Sequence, residues 1–305
     1  MENVSIIEQK GMMKMNVAKN WEDYKIIDMA DGQKLEKWGE IILSRPDPQI
    51  VWKNKSHPEE WKKTNAIYSR SKTGGGSWEY KKKIPSDWQI KYKDLTFNIK
   101  TMGFKHTGLF PEQAVNWDWM RNKIKNAKRE IKVLNLFAYT GGATVACLAA
   151  GASVCHVDSS KGMVTWAKEN VTSSGLAEKK VRYIVDDVVK FVNREIRRGN
   201  KYDAIIMDPP SYGRGANGEV WQFENNIYDL VELCTKVLSD NLLFFLINSY
   251  TTGISSTVLA NILNLTVSKK YKGKVESGEI GLPMENSSLV LPAGIYGRWE
   301  HLGTE

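Results

Sequence analysis

The chain has 305 residues with 42% apolar and 26% charged side chains, a balance that excludes disorder and suits one large or two modest domains. A longest apolar run of six residues, Leu242 to Ile247, excludes a membrane-spanning helix, and three scattered cysteines with four histidines exclude a disulfide framework or a zinc ribbon. The net charge of +8 is unevenly spread: residues 53–105 hold thirteen Lys/Arg against five Asp/Glu, including Lys81-Lys82-Lys83, an excess that attracts polyanions or only solubilises the surface.

In chain order, residues 1–14 lack any pattern and are expected to be poorly ordered. They carry no apolar stretch or cleavage site of a secretory signal, and the reducing cytosol is the expected compartment. Six of the eleven tryptophans (Trp21, Trp38, Trp52, Trp61, Trp78, Trp88) precede residue 100, among turn formers such as Arg45-Pro46-Asp47-Pro48 and Gly74-Gly75-Gly76-Ser77. Alternating segments, Trp88–Tyr92 and Leu95–Ile99, predict a small β-rich basic domain over 1–103. Its tryptophans either consolidate a core or stack on unpaired bases.

Near residue 110 the pattern turns helical. Pro111 and Glu112 suit a first turn, and Trp117, Met120 and Ile124 recur on one face. From 131 onward strands alternate with helices. The strands are Ile131–Phe137, Ser153–Val157, Val181–Val185, Ala204–Met207 and Leu242–Ile247. The helices are Ala143–Ala150, Met163–Val171, Val188–Arg197, Gln222–Leu238 and Ser256–Leu265. This rhythm predicts an α/β domain over 104–305 with a parallel sheet covered on both faces. Tyr271–Glu276 and Leu289–Tyr296, with no helix between them, predict an antiparallel hairpin at the sheet edge.

Four strand ends carry polar chemistry. After the first come Phe137-Ala138-Tyr139-Thr140-Gly141-Gly142, where glycine allows positive φ or close approach of a ligand to the backbone. The same Gly-Gly also suits a plain tight turn, and neither G-x-G-x-x-G nor a P-loop is present. Asp158 closes the second strand seventeen residues after Gly141, a spacing suited to gripping a ribose diol; capping the next helix is the alternative. Asp186-Asp187 ends the third strand, where either carboxylate could accept an exocyclic amine or cap a helix. Asp208-Pro209-Pro210-Ser211-Tyr212 ends the fourth. Its two prolines leave rigid acceptor carbonyls beside a carboxylate, an arrangement for a flat amine-bearing group.

With these motifs in order, the chain resembles class I S-adenosylmethionine-dependent methyltransferases over roughly 104–299, most of all the bacterial large-subunit (23S) ribosomal RNA methyltransferase group. The likeness extends to the lead-in Phe104-Lys105-His106-Thr107-Gly108-Leu109-Phe110-Pro111-Glu112-Gln113. It implies a seven-stranded Rossmann-like sheet with a reversed last strand and S-adenosyl-L-methionine as cofactor. By the same likeness, Phe137, Ala138, Tyr139, Thr140 and Gly141 hold the methionine part. Asp158 with Ser159 takes the ribose, Asp187 beside Asp186 takes the adenine amine, and Thr107 and Phe110 close over the cofactor. Asp208, Pro209, Pro210 and Tyr212 would orient the acceptor, with Asp208 also near the cofactor.

Cytosine-C5 members of the group use a cysteine after the fifth strand. Here that segment is Asn248-Ser249-Tyr250, so a base nitrogen is the expected target, and the cysteines are expected to pack as small hydrophobes. The expected partner is RNA, ribosomal by the resemblance, with neither membrane nor metal, and with the basic N-terminal domain docking it. The same chemistry on a small molecule or protein, and a non-catalytic RNA-binding protein, are the alternatives.

Overall fold

The computed structural model describes residues 15–71, 75–214, 218 and 220–302, so the expectation for residues 1–14, and Gly74 of the glycine run, lie outside it. The chain starts with β1 (Met15–Val17). An antiparallel meander follows, of β2 (Tyr24–Ala30), β3 (Gln33–Trp38) and β4 (Ile41–Pro46). A single helical turn, α1 (Pro58–Trp61), leads to β5 (Ala66–Arg70), parallel to β4, and to its hairpin partner β6 (Gly76–Tyr80). A second hairpin joins β7 (Trp88–Tyr92) to β8 (Leu95–Ile99), at the bounds that alternation predicts.

Past the lead-in, a 3-10 turn at Pro111–Gln113 opens α2 (Ala114–Asn126). Then come β9 (Lys132–Leu136), α3 (Gly142–Ala149), β10 (Ser153–Asp158), α4 (Lys161–Ser173), β11 (Val181–Val185), α5 (Val188–Arg198) and β12 (Ala204–Met207). A short hairpin of β13 (Tyr212–Arg214) and β14 (Val220–Gln222) precedes α6 (Phe223–Cys234). The rest is β15 (Phe244–Ser249), α7 (Ser256–Leu265), β16 (Gly273–Pro283) and β17 (Val290–His301).

The main sheet has the order β1-β16-β17-β15-β12-β9-β10-β11. Strands β11, β10, β9, β12 and β15 run parallel, and β17 is reversed between β15 and β16. The seven expected strands are all there. The expected edge is not: β1 pairs in parallel with β16 and adds an eighth strand outside the hairpin. Three residues offer no periodicity to read, so nothing local announces this strand.

Period-two alternation divides the core between the two sheet faces. On one face Leu134, Leu136, Ile205, Met207, Phe245 and Ile247 pack with residues of α5, α6 and α7. On the other, Val133, Ile206, Phe244 and Leu246 pack with α2 and α3, and this cluster continues into the N-terminal strands through Tyr24, Trp38, Tyr92 and Phe97. Trp117 of α2 is the joint, with the rings of Trp21, Tyr92 and Phe97 within 6.1 Å of it.

The N-terminal tryptophans are core and scaffold. Trp38 is fully buried, and the partly buried Trp21, Trp52, Trp61, Trp78 and Trp88 each spend the indole N–H on an internal acceptor. Of their two readings, consolidation is the one the structure shows. Among the described residues no helix is long and apolar enough to cross a membrane, and no His/Cys/Asp/Glu group could hold a metal ion.

Candidate active site

The site is built where β9, β10, β11 and β12 end side by side. The turn after β9 is tightly wound: Phe137 and Tyr139, neither a glycine, adopt φ of 53° and 51°, and Gly141 follows at 81°. Left-handed backbone at bulky residues is costly and must be held by its surroundings. Asp158 supplies part of that hold, its Oδ2 accepting the Tyr139 N–H at 2.8 Å and its Oδ1 the Ser160 N–H at 2.8 Å.

Asp158 is therefore not the cap of α4; Ser160 is, through the Met163 N–H. A carboxylate has about four acceptor positions, so both oxygens keep capacity for a diol. Burial pushes its pKa up, opposed by the two amides. Gly141 and Gly142 also answer to packing: a Cβ there would meet Ala167 at 2.9 Å and Trp117 at 2.8 Å respectively.

At the end of β11 the two acids divide the work. Asp187 caps α5, accepting the Lys190 N–H at 2.9 Å, while Asp186 accepts the Asp187 N–H at 2.9 Å and pairs with Arg194. At the end of β12, Asp208 has a buried Oδ1 with no hydrogen-bond partner. Burial, then the nearby Glu112 carboxylate, pushes its pKa up to about 7. Burial raises Glu112 as well.

Two cavities open at these strand ends and meet at Phe137. The deep one, about 50 Å³, is lined by Phe110, Gln113, Asn135, Tyr139, Asp208 and Asn248, among others. The wide one, about 610 Å³, is lined by Ser159, Asp187, Val188, Pro210, Arg214 and Trp221, among others. Trp221 sits 5.1 Å from the Phe137 ring and donates its indole N–H to the Pro210 carbonyl at 2.6 Å. Of the two proline carbonyls, Pro209 is thus left for an acceptor among the described residues.

The structure gathers most of the expected residues. Phe110, Phe137, Ala138, Tyr139, Thr140 and Asp208 line the deep cavity, and Phe137, Ser159, Asp187 and Pro210 the wide one. Gly141 and Asp158 shape the turn between them. Four residues stand apart from both cavities. Thr107 is fully buried within the lead-in, Asp186 is engaged with Arg194, Pro209 lies between Asp208 and Pro210 without lining either cavity, and Tyr212 is half exposed on β13, its hydroxyl accepting from Arg214 Nε at 2.8 Å.

A polar network without a sequence signature of its own lies behind the deep cavity. Gln113 donates to the Tyr250 hydroxyl at 2.7 Å, and Asn116 donates to Gln113 Oε1 and to Asn248 Oδ1, each at 2.8 Å. Arg298 closes it from β17 on Asn116 Oδ1. The one local signal is Asn116 itself, a polar residue beside Trp117 and one turn before Met120 on the buried face of α2. The three cysteines lie elsewhere, on α3, β10 and α6, all buried, as expected of small hydrophobes. Burial pushes the thiols of Cys147 and Cys155 up to about 12 and 11.

Do these residues fit the expected cofactor? The unpartnered Asp208 Oδ1 and Tyr139 hydroxyl mark unmet hydrogen-bonding capacity in the deep cavity. Asp158 offers acceptors at the junction, and Phe137, Val188, Pro210 and Trp221 offer an apolar slot with Asp187 at its rim. An amino-acid end, a ribose and a flat heterocycle match these three regions in order.

A parallel sheet with one reversed strand, and acids at the ends of β10, β11 and β12 around the glycine turn of the central β9, defines the class I methyltransferase fold. Residues 71–260 match the family of S-adenosylmethionine-dependent methyltransferases, and the chain belongs to it. The structure is similar to that of a SAM-dependent methyltransferase from Agrobacterium tumefaciens, with a TM-score of 0.86, 35% identity, and coverage of 92% of this chain and 91% of that one. It also shares its fold with SMU.776, a methyltransferase complexed with SAH, at a TM-score of 0.69, 19% identity and 92% and 76% coverage.

Among sequence relatives, ribosomal RNA large subunit methyltransferase K/L of Shewanella frigidimarina is 33% identical over 48% of this chain and 20% of its own length. Ribosomal RNA large subunit methyltransferase K of Neisseria meningitidis is 27% identical over 65% of this chain and 54% of its own. The chain thus spans between a fifth and about half of these two relatives.

Proposed function

We propose that this protein transfers the methyl group of S-adenosylmethionine to a nitrogen of a base in large-subunit ribosomal RNA, in the cytoplasm. The observation that carries the nitrogen assignment is Asp208. It is a carboxylate whose Oδ1 is buried and without a partner, at the strand end next to the Pro209 carbonyl, in a cavity that none of the described cysteines lines. The RNA assignment rests on the names of the relatives and on the basic N-terminal module.

When bound, the cofactor supplies an electrophilic methyl on sulfur. Asp208 and the Pro209 carbonyl accept hydrogen bonds from an amine or ring N–H and aim the nitrogen lone pair at that methyl. Asp208 would then take the proton that the nitrogen releases on methylation. Holding two reactants in line contributes about 7–11 kcal/mol of barrier reduction. Burial first, and then Glu112, raises the proton affinity of Asp208.

Labelled cofactor and unmodified 23S ribosomal RNA, followed by nucleoside analysis, test the reading. Label in an N-methylated base is the expected result, retained when Cys147, Cys155 and Cys234 are all replaced by Ala. Label at cytosine C5, or a covalent adduct with fluoropyrimidine RNA, overturns the nitrogen assignment. Label only in protein or metabolite fractions overturns RNA.

A further inference from the structure

The rim of the deep cavity carries a feature that extends from the proposed methyl-transfer site to the surface. Rings form a ladder from the surface to the cavity wall. Phe104 is 40% exposed and lies 6.0 Å from His106, His106 lies 5.2 Å from Phe110, and Phe110 lies 5.4 Å from Tyr250 and 5.6 Å from Tyr139. Beside the ladder sits a group of cations drawn from the N-terminal module and the lead-in together: Lys34 on β3, Arg45 on β4, Arg70 at the end of β5, and Lys105.

Two of these cations are already matched. Arg45 is locked on the fully buried Glu36 at 2.6 Å and braces the lead-in through the Lys105 carbonyl at 3.0 Å. Lys34 lies 3.7 Å from Glu36 and 3.4 Å from Asp47. Lys105 and Arg70 are different: neither forms an ion pair among the described residues. Lys105 is half-buried all the same, and Trp78 holds the chain beside it by donating to the Phe104 carbonyl at 3.3 Å. A half-buried ammonium without a counter-ion is costly unless an anion arrives.

We propose that Lys105 and Arg70 hold the backbone phosphates of an unpaired RNA segment, and that Phe104 stacks on a base of that segment as it feeds the acceptor base along the Phe110 edge to Asp208. This rests on the RNA reading above and gives it a location. An aromatic surface next to cations is the pattern by which single strands bind, through base stacking and phosphate contacts together. Duplex RNA would hide the base faces that Phe104 needs.

Electrostatics agrees. Burial first, then Lys34, Arg70 and Arg45, push the Lys105 ammonium down to about 8, opposed by Asp47. Burial and the same cations hold His106 at about 3, so the ladder is a neutral aromatic surface at working pH.

The placement also moves the RNA contact away from Lys81-Lys82-Lys83. Those lysines follow the far end of β6, about five residue steps or roughly 16 Å from the Gly76 end that pairs with Arg70. Lys81 pairs with Glu79, and Lys82 donates to the Lys63 carbonyl at 3.2 Å.

The test is binding of the full chain to a fluorescent single-stranded 12-nucleotide RNA, and to a duplex of the same sequence, across a salt series. Lys105→Ala and Arg70→Ala should each weaken single-strand binding at least fivefold and flatten the log–log salt slope by about 0.7. Phe104→Ala should weaken it about fivefold or more with the slope unchanged. Lys82→Ala with Lys83→Ala should do neither, and calorimetric S-adenosylmethionine affinity should stay constant throughout.

Wild-type binding that Lys105→Ala, Arg70→Ala and Phe104→Ala all leave intact overturns this inference alone, as does tighter binding of duplex than of single strand. A wild type that binds no RNA but methylates an acidic protein in a Lys105-dependent way overturns both this inference and the reading it rests on.

Discussion

The side-chain amide of Asn170 donates to the Thr140 carbonyl at 2.8 Å, while its Oδ1 accepts the Asn98 backbone N–H at 2.8 Å. Thr140 in turn donates its hydroxyl to the Gly108 carbonyl at 2.5 Å. One buried residue of α4 therefore couples strand β8 of the N-terminal module to the turn after β9, and through it to the lead-in. Asn170→Leu fills the space but orphans the Thr140 carbonyl and the Asn98 amide, at a cost of about 1–3 kcal/mol for each group left unpaired. The expected outcome is a lower melting temperature together with weaker S-adenosylmethionine binding by calorimetry. A stability loss without any change in affinity would show that the coupling ends at Thr140.

Asp158 holds the turn and is proposed to grip the ribose, two roles that a single substitution to Ala would mix. Asp158→Ala removes the acceptor for both the Tyr139 and Ser160 amides and loosens the left-handed turn. Asp158→Asn keeps one carbonyl oxygen in place but replaces the other acceptor with a donor. A ligand that binds only the native state raises stability by RT ln(1 + [L]/Kd). The Asn variant should keep most of the ligand-free melting temperature and lose most of the shift that S-adenosylmethionine produces, since bonds to a charged acceptor are worth roughly 1.5–3 kcal/mol each. A full ligand-induced shift in Asp158→Asn would remove this carboxylate from the ribose site.

Much of this was legible because the strand ends put their chemistry next to one another in the chain. Asp158, Asp187 and Asp208 each follow an apolar strand whose pattern is plain, so position and residue type point the same way. Leu95–Ile99 and Val181–Val185 are bounded by charged residues on both sides, Asp94 and Lys100 for the one and Lys180 and Asp186 for the other, and are found at the expected residues. The division of labour was less legible. Whether Asp158 or Ser160 caps α4 depends on which backbone amides the loop turns inward, and that is set by the φ of Phe137 and Tyr139. The network of Gln113, Asn116, Asn248 and Arg298 joins residues up to 182 positions apart and has no local signature. The cationic rim has the same origin, since Arg70 and Lys105 meet only after β5 and the lead-in have packed.

His156 is expected to set the acid limit of the fold. It lies in β10 with no solvent exposure, its Nδ1 is 2.9 Å from the Thr144 hydroxyl, and its Nε2 has no partner. Burial lowers its pKa from 6.5 to about 4, against a smaller raising effect of the Tyr139 backbone. A depressed histidine pKa means that the unfolded chain binds the proton first. The stabilisation is complete above 6.5 and is lost as pH falls from there to about 4, on the order of 3 kcal/mol at 1.4 kcal/mol per pKa unit. Urea midpoints should decline across that window, and His156→Gln, which cannot titrate, should decline less. Equal pH dependence in the two proteins would assign the acid limit to other groups.

Asp208 titrates in the opposite sense, and the proposed role as proton acceptor would tie stability to rate. Its pKa, raised to about 7 by burial and then Glu112, means that the unfolded chain gives up this proton near 3.8 while the native state keeps it until about 7. Across that interval the native state binds more protons, so stability falls as pH rises from about 4 to about 7. Asp208→Asn should therefore melt higher than wild type at pH 8, where the buried carboxylate is ionised and Oδ1 lacks a partner, and close to wild type at pH 5. The rate should move the other way. If Asp208 accepts the proton released by the nitrogen, kcat for RNA should climb through about pH 7 and level off above it, and Asp208→Asn should lose about 10²–10⁴-fold with that limb abolished. Glu112→Gln separates the two acids: removing the neighbouring charge lowers the Asp208 pKa, so the rising limb should shift to lower pH while cofactor affinity is kept. A wild-type kcat that is flat between pH 6 and 8 would leave Asp208 an orienting acceptor only, with the proton leaving to solvent.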